Sequence, residues 1–390
     1  MRGSFAVTTT GSDWRQALDQ ALAGFERNVP GLAFLFASYH YAEAYGDIVE
    51  HVGRLLGPEI LLGCSGQGDI GTGREIEDEA AISLMALDLP GADLTVVRLN
   101  QRDFASTHGP AGWIRRMGIE PPAVNAWVVL ADPFTFDVSA LIDALGLAYP
   151  GLPVLSGMAS AQPGQRGTRL FSGDGVVSEG ALVLAVGGRW TVHAVVSQGA
   201  EPIGQAWTVT AAEGNVIKTI AGRPALEVLV ETIGKVPPAA RERVSQNLLV
   251  GLAMDEYRDE FKRGDFLISN FMGADRATGA IGVGAEVRVG QTVQFQFRDA
   301  AAADDELRVM LAGAHETLGS TAAGALLCSC NGRGAGLFGA PDHDATAVAG
   351  RFGQLPVAGL FCNGEIGPVG GKNFVHGFTA SIAFFVPTHA

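Results

Sequence analysis

The sequence is short of positive charge. It carries 27 Lys and Arg against 41 Asp and Glu, a formal net charge of -14, and no run of lysine and arginine reverses that sign locally. Such a surface repels phosphate polymers and anionic lipid, which argues against nucleic acid and the membrane surface as partners. Cysteine is scarce as well. The four residues, Cys64, Cys328, Cys330 and Cys362, are too few and too clustered for a disulfide scaffold in a chain of 390 residues, so reduced thiols are expected. Long apolar segments are missing too. The least charged stretch, Ala144 to Gln165, is broken by Pro150, Pro153 and Pro163, and the N-terminus MRGSFAVTTTGSDW has no signal-peptide core. Together these absences predict a soluble cytoplasmic protein.

What is abundant is glycine: 53 residues, about 14 % against a usual ~7 %. It falls between apolar runs, which predicts many tight turns and places where backbone approaches something closely. The length exceeds one ordinary core and predicts more than one domain, with the best break between Ala221 and Lys235.

The order of elements recurs. The segment from Gly31 reads as an apolar strand, an amphipathic helix, a Gly57-Pro58 break and a second apolar strand ending at Gly63-Cys64-Ser65-Gly66. From Asn125 the same order ends at Ser156-Gly157, and from Gly324 it ends at Asn363-Gly364. Strands apolar at every position suit sheets covered on both faces, and the repetition predicts parallel neighbours whose turns open at one sheet edge. Between the second and third copies the pattern turns β-rich. Gly173-Asp174-Gly175 and Glu213-Gly214-Asn215 read as hairpin turns. Residues 292 to 298 alternate, with Val293, Phe295 and Phe297 on a dry face and Thr292, Gln294 and Gln296 on a wet one. Helical spacing covers Asp13 to Phe25 after a Ser12 N-cap, and resumes after Asp304 and Asp305; the polar residues 161 to 169 read as a surface loop. The expected class is α/β, in the mixed α+β sense: two domains with repeated strand-helix-strand units and added antiparallel hairpins.

All four cysteines end apolar strands beside small residues, where backbone N-H and C=O groups face anything docked there. Cys328 and Cys330, two apart in a strand, share a face. With Cys64 and Cys362 they have no knuckle-like spacing for zinc, which leaves small core residues, or a thiol acting as nucleophile, redox sensor or ligand contact. The loop CNGRGAGLFG lacks the lysine of a phosphate loop and the spacing of a dinucleotide fingerprint, so no cofactor is expected. Arg333 there is suited to a ligand carboxylate or, equally, to Glu365 or Asp344 within the protein. Glu365, hemmed in by apolar residues and tight turns, reads as a contact for a ligand ammonium, as a base of raised pKa, or as an acceptor of turn N-H groups. His376 is a ligand contact or a satisfied core histidine. GCSGQG is not the nucleophile elbow, and a triad with His376 and Asp132 is free choice among eight histidines.

The blocks LLGCSGQGDI, VVSQGAEPIGQAW, LLCSCNGRGAGLFG and FCNGEIGPVGGKNFVHGF resemble successive motifs of the FIST family, named for F-box and intracellular signal transduction. The resemblance runs from about residue 30 to the end. It implies a FIST N-terminal domain over 30–220 and a FIST C-terminal domain over 221–390, and the helical spacing of Asp13 to Phe25 makes 1–29 an N-terminal helical extension. It also implies a sensory module for small ligands such as amino acids. The motif positions here are Cys64, Ser65 and Gly66; Gly199, Pro202 and Gly204; Arg298 and Asp299; Cys330, Gly332, Arg333 and Gly334; and Gly364, Glu365, Gly367 and Pro368. No kinase, cyclase or F-box region follows the last block, so the output is expected on a separate signalling partner. The expected ligand site joins the strand-end turns: Cys64, Ser65, Ser156, Cys330, Asn331, Arg333, Asn363, Glu365 and His376. Its alternatives are an enzyme using a cysteine nucleophile or Glu365 as base, and an interaction scaffold without a ligand.

Overall fold

Apolar strands separated by one amphipathic helix have a single compact solution, a right-handed crossover with the strands side by side. The computed structural model, which describes residues 3–23, 30–258, 260–261 and 264–388, contains a parallel strand pair with an intervening helix three times. Leu32–Ser38 and Ile60–Gly66 run parallel around the helix Tyr45–Leu56, which stops where Gly57 turns left-handed at φ 57°. Ala126–Ala131 and Val154–Met158 flank Val138–Ala148, whose first turn is capped by the Asp137 carboxylate on the Ala140 amide. Gly324–Cys330 and Val357–Cys362 flank His343–Phe352.

Each copy is larger than the sequence pattern revealed. In chain order a repeat comprises an outer strand, one or two helices, the parallel pair with its helix, a hairpin and a returning antiparallel strand. The outer strands are Phe5–Thr10, Ala92–Leu99 and Trp190–Ser197, and the returning strands are Ala81–Leu87, Ala181–Gly188 and Ala380–Pro387. All three six-stranded sheets have the same order: outer, returning, first parallel, second parallel, hairpin. The hairpin is always borrowed. Asp69–Ile76, from repeat 1, docks on the second parallel strand of repeat 3. Leu170–Val177, from repeat 2, docks on repeat 1, and Glu365–His376, from repeat 3, docks on repeat 2. The exchange is cyclic, so no repeat completes its sheet alone.

One face of every sheet contributes to a single shared core containing Phe34, Leu130, Leu184, Leu326, Phe385 and three of the cysteines. The other face of each sheet is covered by its own helices: Leu18 and Ile48 in repeat 1, Trp113 and Leu141 in repeat 2, Leu307 and Val348 in repeat 3. Two dry faces explain why the strands are apolar throughout, each buried large side chain stabilising by about 1.5–3 kcal/mol.

The chain divides into two compact units, residues 1–196 with 307–390, and residues 197–306. The second is inserted between the outer strand of repeat 3 and the helix Ala300–Leu318, which crosses the boundary. It is a closed six-stranded barrel, passing from Trp207–Glu213 through Val216–Ile220, Ala280–Val283, Phe266–Asp275, Leu248–Ala253 and Thr292–Arg298 back to its start. Closure leaves the ring without a free edge. Val209, Ile217, Val250 and Phe295 fill it.

Both hairpin turns lie where the glycines place them. Three local expectations differ. The first helix is capped by Asp13, whose carboxylate accepts the Gln16 amide, and not by Ser12; it spans Trp14–Leu22, and Phe25 lies outside the described residues. Gln296 is buried while Thr292 and Gln294 on the same face stay half-buried, because its amide lies over Gly251, which has no side chain to keep it out. The 161–169 segment is anchored at its end, where Thr168 is buried and donates to Asp132 at 3.0 Å.

Candidate functional site

The three second strands end at one place. Ser160, fully buried just past the repeat 2 strand, accepts the Gln67 amide at 2.6 Å and donates to the Phe361 carbonyl, linking repeats 1 and 3 through one hydroxyl. Ser65 donates to the Ser160 carbonyl at 2.7 Å and accepts the Arg169 amide at 2.9 Å. The Asn363 amide group donates to the Ala159 carbonyl at 3.1 Å, and the Met158 N-H to the Gly364 carbonyl at 2.9 Å. Ser160, Thr168 and Arg169 escaped the sequence reading. Aligning the repeats would have found Ser160, which stands where Gln67 and Asn363 stand in the others.

Register makes other equivalences plain. Gly63, Ser156 and Gly359 each sit between a first-strand residue (Leu35, Val129, Leu327) and a hairpin residue (Phe171, Ile366, Ile70). Only repeat 2 has a side chain there, and Ser156 adopts φ +117°, a conformation that favours glycine. The hairpin residues one step earlier are Asp69, Leu170 and Glu365. Two of the three positions therefore hold a fully buried acid.

Around Glu365 the thiols gather. Cys362 donates to Glu365 Oε1 at 3.3 Å, and the Thr379 amide donates to Oε2 at 3.0 Å. Burial pushes the carboxyl up to about 8; the Thr379 amide, the Cys362 thiol and the positive charge of Arg333 oppose that rise without overcoming it. A Cβ on Gly157 would lie 3.0 Å from the Cys362 sulfur and 3.2 Å from that of Cys328, so both sulfurs face the gap that a missing side chain leaves. Burial pushes Cys328 and Cys330 up to about 12, and raises Cys64 and Cys362 well above the ordinary thiol value. None is poised as a resting thiolate.

Arg333 is fully engaged inside the protein. It is 1 % exposed and grips Asp344 with two parallel bonds, Nε to Oδ2 at 2.7 Å and Nη2 to Oδ1 at 2.8 Å. Burial alone would raise Asp344, but the Arg333 charge, with hydrogen bonds from Arg333, His343 and Ser329, holds its carboxyl well below the usual range. Of the pairings open to Arg333, the structure contains the one with Asp344. His376 is a buried neutral histidine, its Nε2 2.9 Å from the Gly367 carbonyl and its pKa pushed down to about 4 by burial. Asn331 donates to Asn363 Oδ1 at 2.9 Å, pairing the residues that follow Cys330 and Cys362. Asn363 is exposed. Asp132 is committed to Phe134, Thr135 and Thr168. Among the described residues no group of three or more His, Cys, Asp or Glu side chains is disposed to hold a metal ion, and no helix is long and apolar enough to cross a membrane.

Three repeats thus meet at a polar strand-end cluster, and a barrel is inserted into the third. The sequence matches the FIST N domain over residues 31–223 and the FIST C domain over 225–368. The chain belongs to the FIST family, whose domains serve in sensing and signal transduction. An uncharacterized protein of Mycobacterium tuberculosis is 39% identical over 382 residues, covering 97% of this chain and 98% of its own. One of Mycobacterium bovis is 39% identical over 391 residues, covering 99% of both. Among solved structures, the cyanuric acid hydrolase of A. caulinodans aligns over 100% of this chain and 99% of its own, at 9% identity and a TM-score of 0.36. That value is too low to carry an argument.

Proposed function

We propose that this protein is a cytoplasmic small-molecule sensor that takes an amino acid or a related amine-bearing metabolite at the Glu365 turns and passes the signal to a separate protein. The observation that carries this reading is Glu365 itself. It is a fully buried carboxyl whose near partners are two thiols, Cys362 and Cys330, and one amide, while the neighbouring guanidinium is bound to Asp344. An ammonium group supplies the missing counter-charge. Asn331, Asn363 and the strand-end amides then suit the ligand's carboxylate, and Arg333 acts by holding the Cys330–Gly334 turn. Entry requires the segment over Glu365 to yield. Phe378, next to the donating Thr379, adopts φ +61°, which for a bulky residue costs on the order of 1–3 kcal/mol and weakens that cover.

The reading has a proton signature. With its pKa at about 8, Glu365 is mostly protonated near neutrality, and an arriving ammonium displaces that proton. Calorimetry of amino acids and amines in buffers of different ionisation enthalpy should show release of up to one proton, lost in Glu365→Gln. No saturable binding across the set, or binding indifferent to that change, sinks the proposal. A second reading is favoured by the same pKa, which suits a general base. Turnover of a bound compound, abolished in Glu365→Gln, would move the protein into that class.

A further inference from the structure

We infer that Cys330 and Cys362 form a thiol–disulfide pair, oxidised by hydroperoxide with Glu365 as proton carrier. The inference rests on the thiols' geometry and not on the ligand reading. Cys330 and Cys362 are register partners on the last rung of a parallel ladder. Adjacent strands lie about 4.8 Å apart and partners on a rung point to the same face, within the roughly 4.4–6.8 Å Cα separation that a disulfide spans. Cys328, one side-chain step back, has Leu360 as its register partner, and its sulfur reaches Cys362 only across the gap at Gly157.

The two thiols are unequal in the way such a pair requires. Cys330 alone among the four is partly exposed; Cys362 is buried. The Gly332 N-H points at the Cys330 sulfur from 3.5 Å, the Phe378 amide adds a second donor, and the Arg333 charge lies nearby. These groups stabilise a thiolate and, after oxidation, a sulfenate oxygen. Burial and the Glu365 charge act the other way and hold Cys330 at about 12. Protonation of Glu365 removes the second of these. The pair is therefore slow, suited to registering sustained oxidant and not to scavenging.

In the first step the Cys330 sulfur attacks the hydroperoxide: an S–O bond forms, the O–O bond breaks, and the thiol proton leaves with the departing alcohol or water. In the second, the Cys362 sulfur attacks the sulfenic sulfur: the S–S bond forms, the S–O bond breaks, and the Cys362 proton passes by way of Glu365 to the leaving hydroxide as water. Two thiols lose two electrons and the peroxide gains them. The disulfide removes the thiol that occupies Glu365 Oε1 in the reduced protein.

The test uses the full chain exposed to increasing hydrogen peroxide, then alkylated and mapped by mass spectrometry without reduction. The expected product is a peptide linking Cys330 to Cys362, with two of the four thiols lost and restored by dithiothreitol. Cys362→Ser should stop at a sulfenic acid on Cys330 that dimedone captures, while Cys64→Ser oxidises as the unaltered protein does. Glu365→Gln should slow disulfide formation on the order of 10²-fold, the low end for a positioned proton acceptor. A link through Cys328 or Cys64, no link in protein that remains folded, or an undiminished rate in Glu365→Gln overturns the inference. Mapping of the unaltered protein decides the pairing even where a variant fails to fold.

Discussion

Replacing Glu365 with glutamine tests the electrostatics of the site most directly. The carboxyl is fully buried, and its pKa rises from 4.5 to about 8 on folding. Between those values the folded protein holds a proton that the unfolded chain has released, so stability declines as pH rises, by about 1.4 kcal/mol per pH unit for one proton. The Glu365 contribution is at its full value below pH 4.5, and across the window its decline amounts to about 5 kcal/mol at most. Glu75, raised to about 7 mainly by burial, adds a parallel decline at lower pH. Glutamine keeps an oxygen for the Thr379 amide and the Cys362 thiol but cannot ionise. The variant should match the unaltered protein near pH 5 and exceed it by several kcal/mol near pH 8.5. The assay is urea unfolding across that range by tryptophan fluorescence. Trp14, Trp113, Trp127 and Trp190 report on the unit that contains Glu365, and Trp207 on the barrel. Equal slopes in the two proteins would refute the reasoning, because they would mean that Glu365 is ionised in the folded state.

Asp344→Asn strands the buried Arg333 charge and should cost about 3–5 kcal/mol in urea unfolding near neutral pH; a loss under about 1 kcal/mol would show that the pair is solvated. The Asp344 carboxyl is depressed, so its contribution is present above pH 3.8 and should fade only as pH falls below that value. Ser156→Gly places at the repeat 2 position the residue that repeats 1 and 3 already have, and relief of the +117° backbone should stabilise by about 1 kcal/mol in thermal unfolding. Gly157→Ala inserts a methyl between two sulfurs 3.0 and 3.2 Å away and should destabilise by about 1–3 kcal/mol, while slowing peroxide-driven loss of thiols.

Much of this was legible in the chain. Apolar runs of strand length, an amphipathic helix between them and glycine just after them encode the parallel pair locally, so three copies can be read off one after another. The Gly173-Asp174 and Gly214-Asn215 turns are equally local. Glu365 stood out because a lone acid among apolar residues and tight turns has no solvated explanation.

The rest depends on which strand lies beside which. Hairpin exchange is invisible in sequence, since a hairpin pairs as well with a neighbouring repeat as with its own. Insertion of a barrel into repeat 3 breaks the periodicity that would have exposed the full repeat. Arg333 illustrates the limit for side chains: by spacing alone Glu365 and Asp344 were equal partners, and the choice was made by the helix His343–Phe352, which delivers Asp344 to the Nε–Nη2 edge of the guanidinium. By itself, then, the sequence determined the elements, their repetition and the presence of thiols and an acid at strand ends. Only tertiary structure brought those ends together, because cyclic exchange of hairpins carries Glu365 onto repeat 2, beside Gly157, where the Cys328 and Cys362 sulfurs face the same gap.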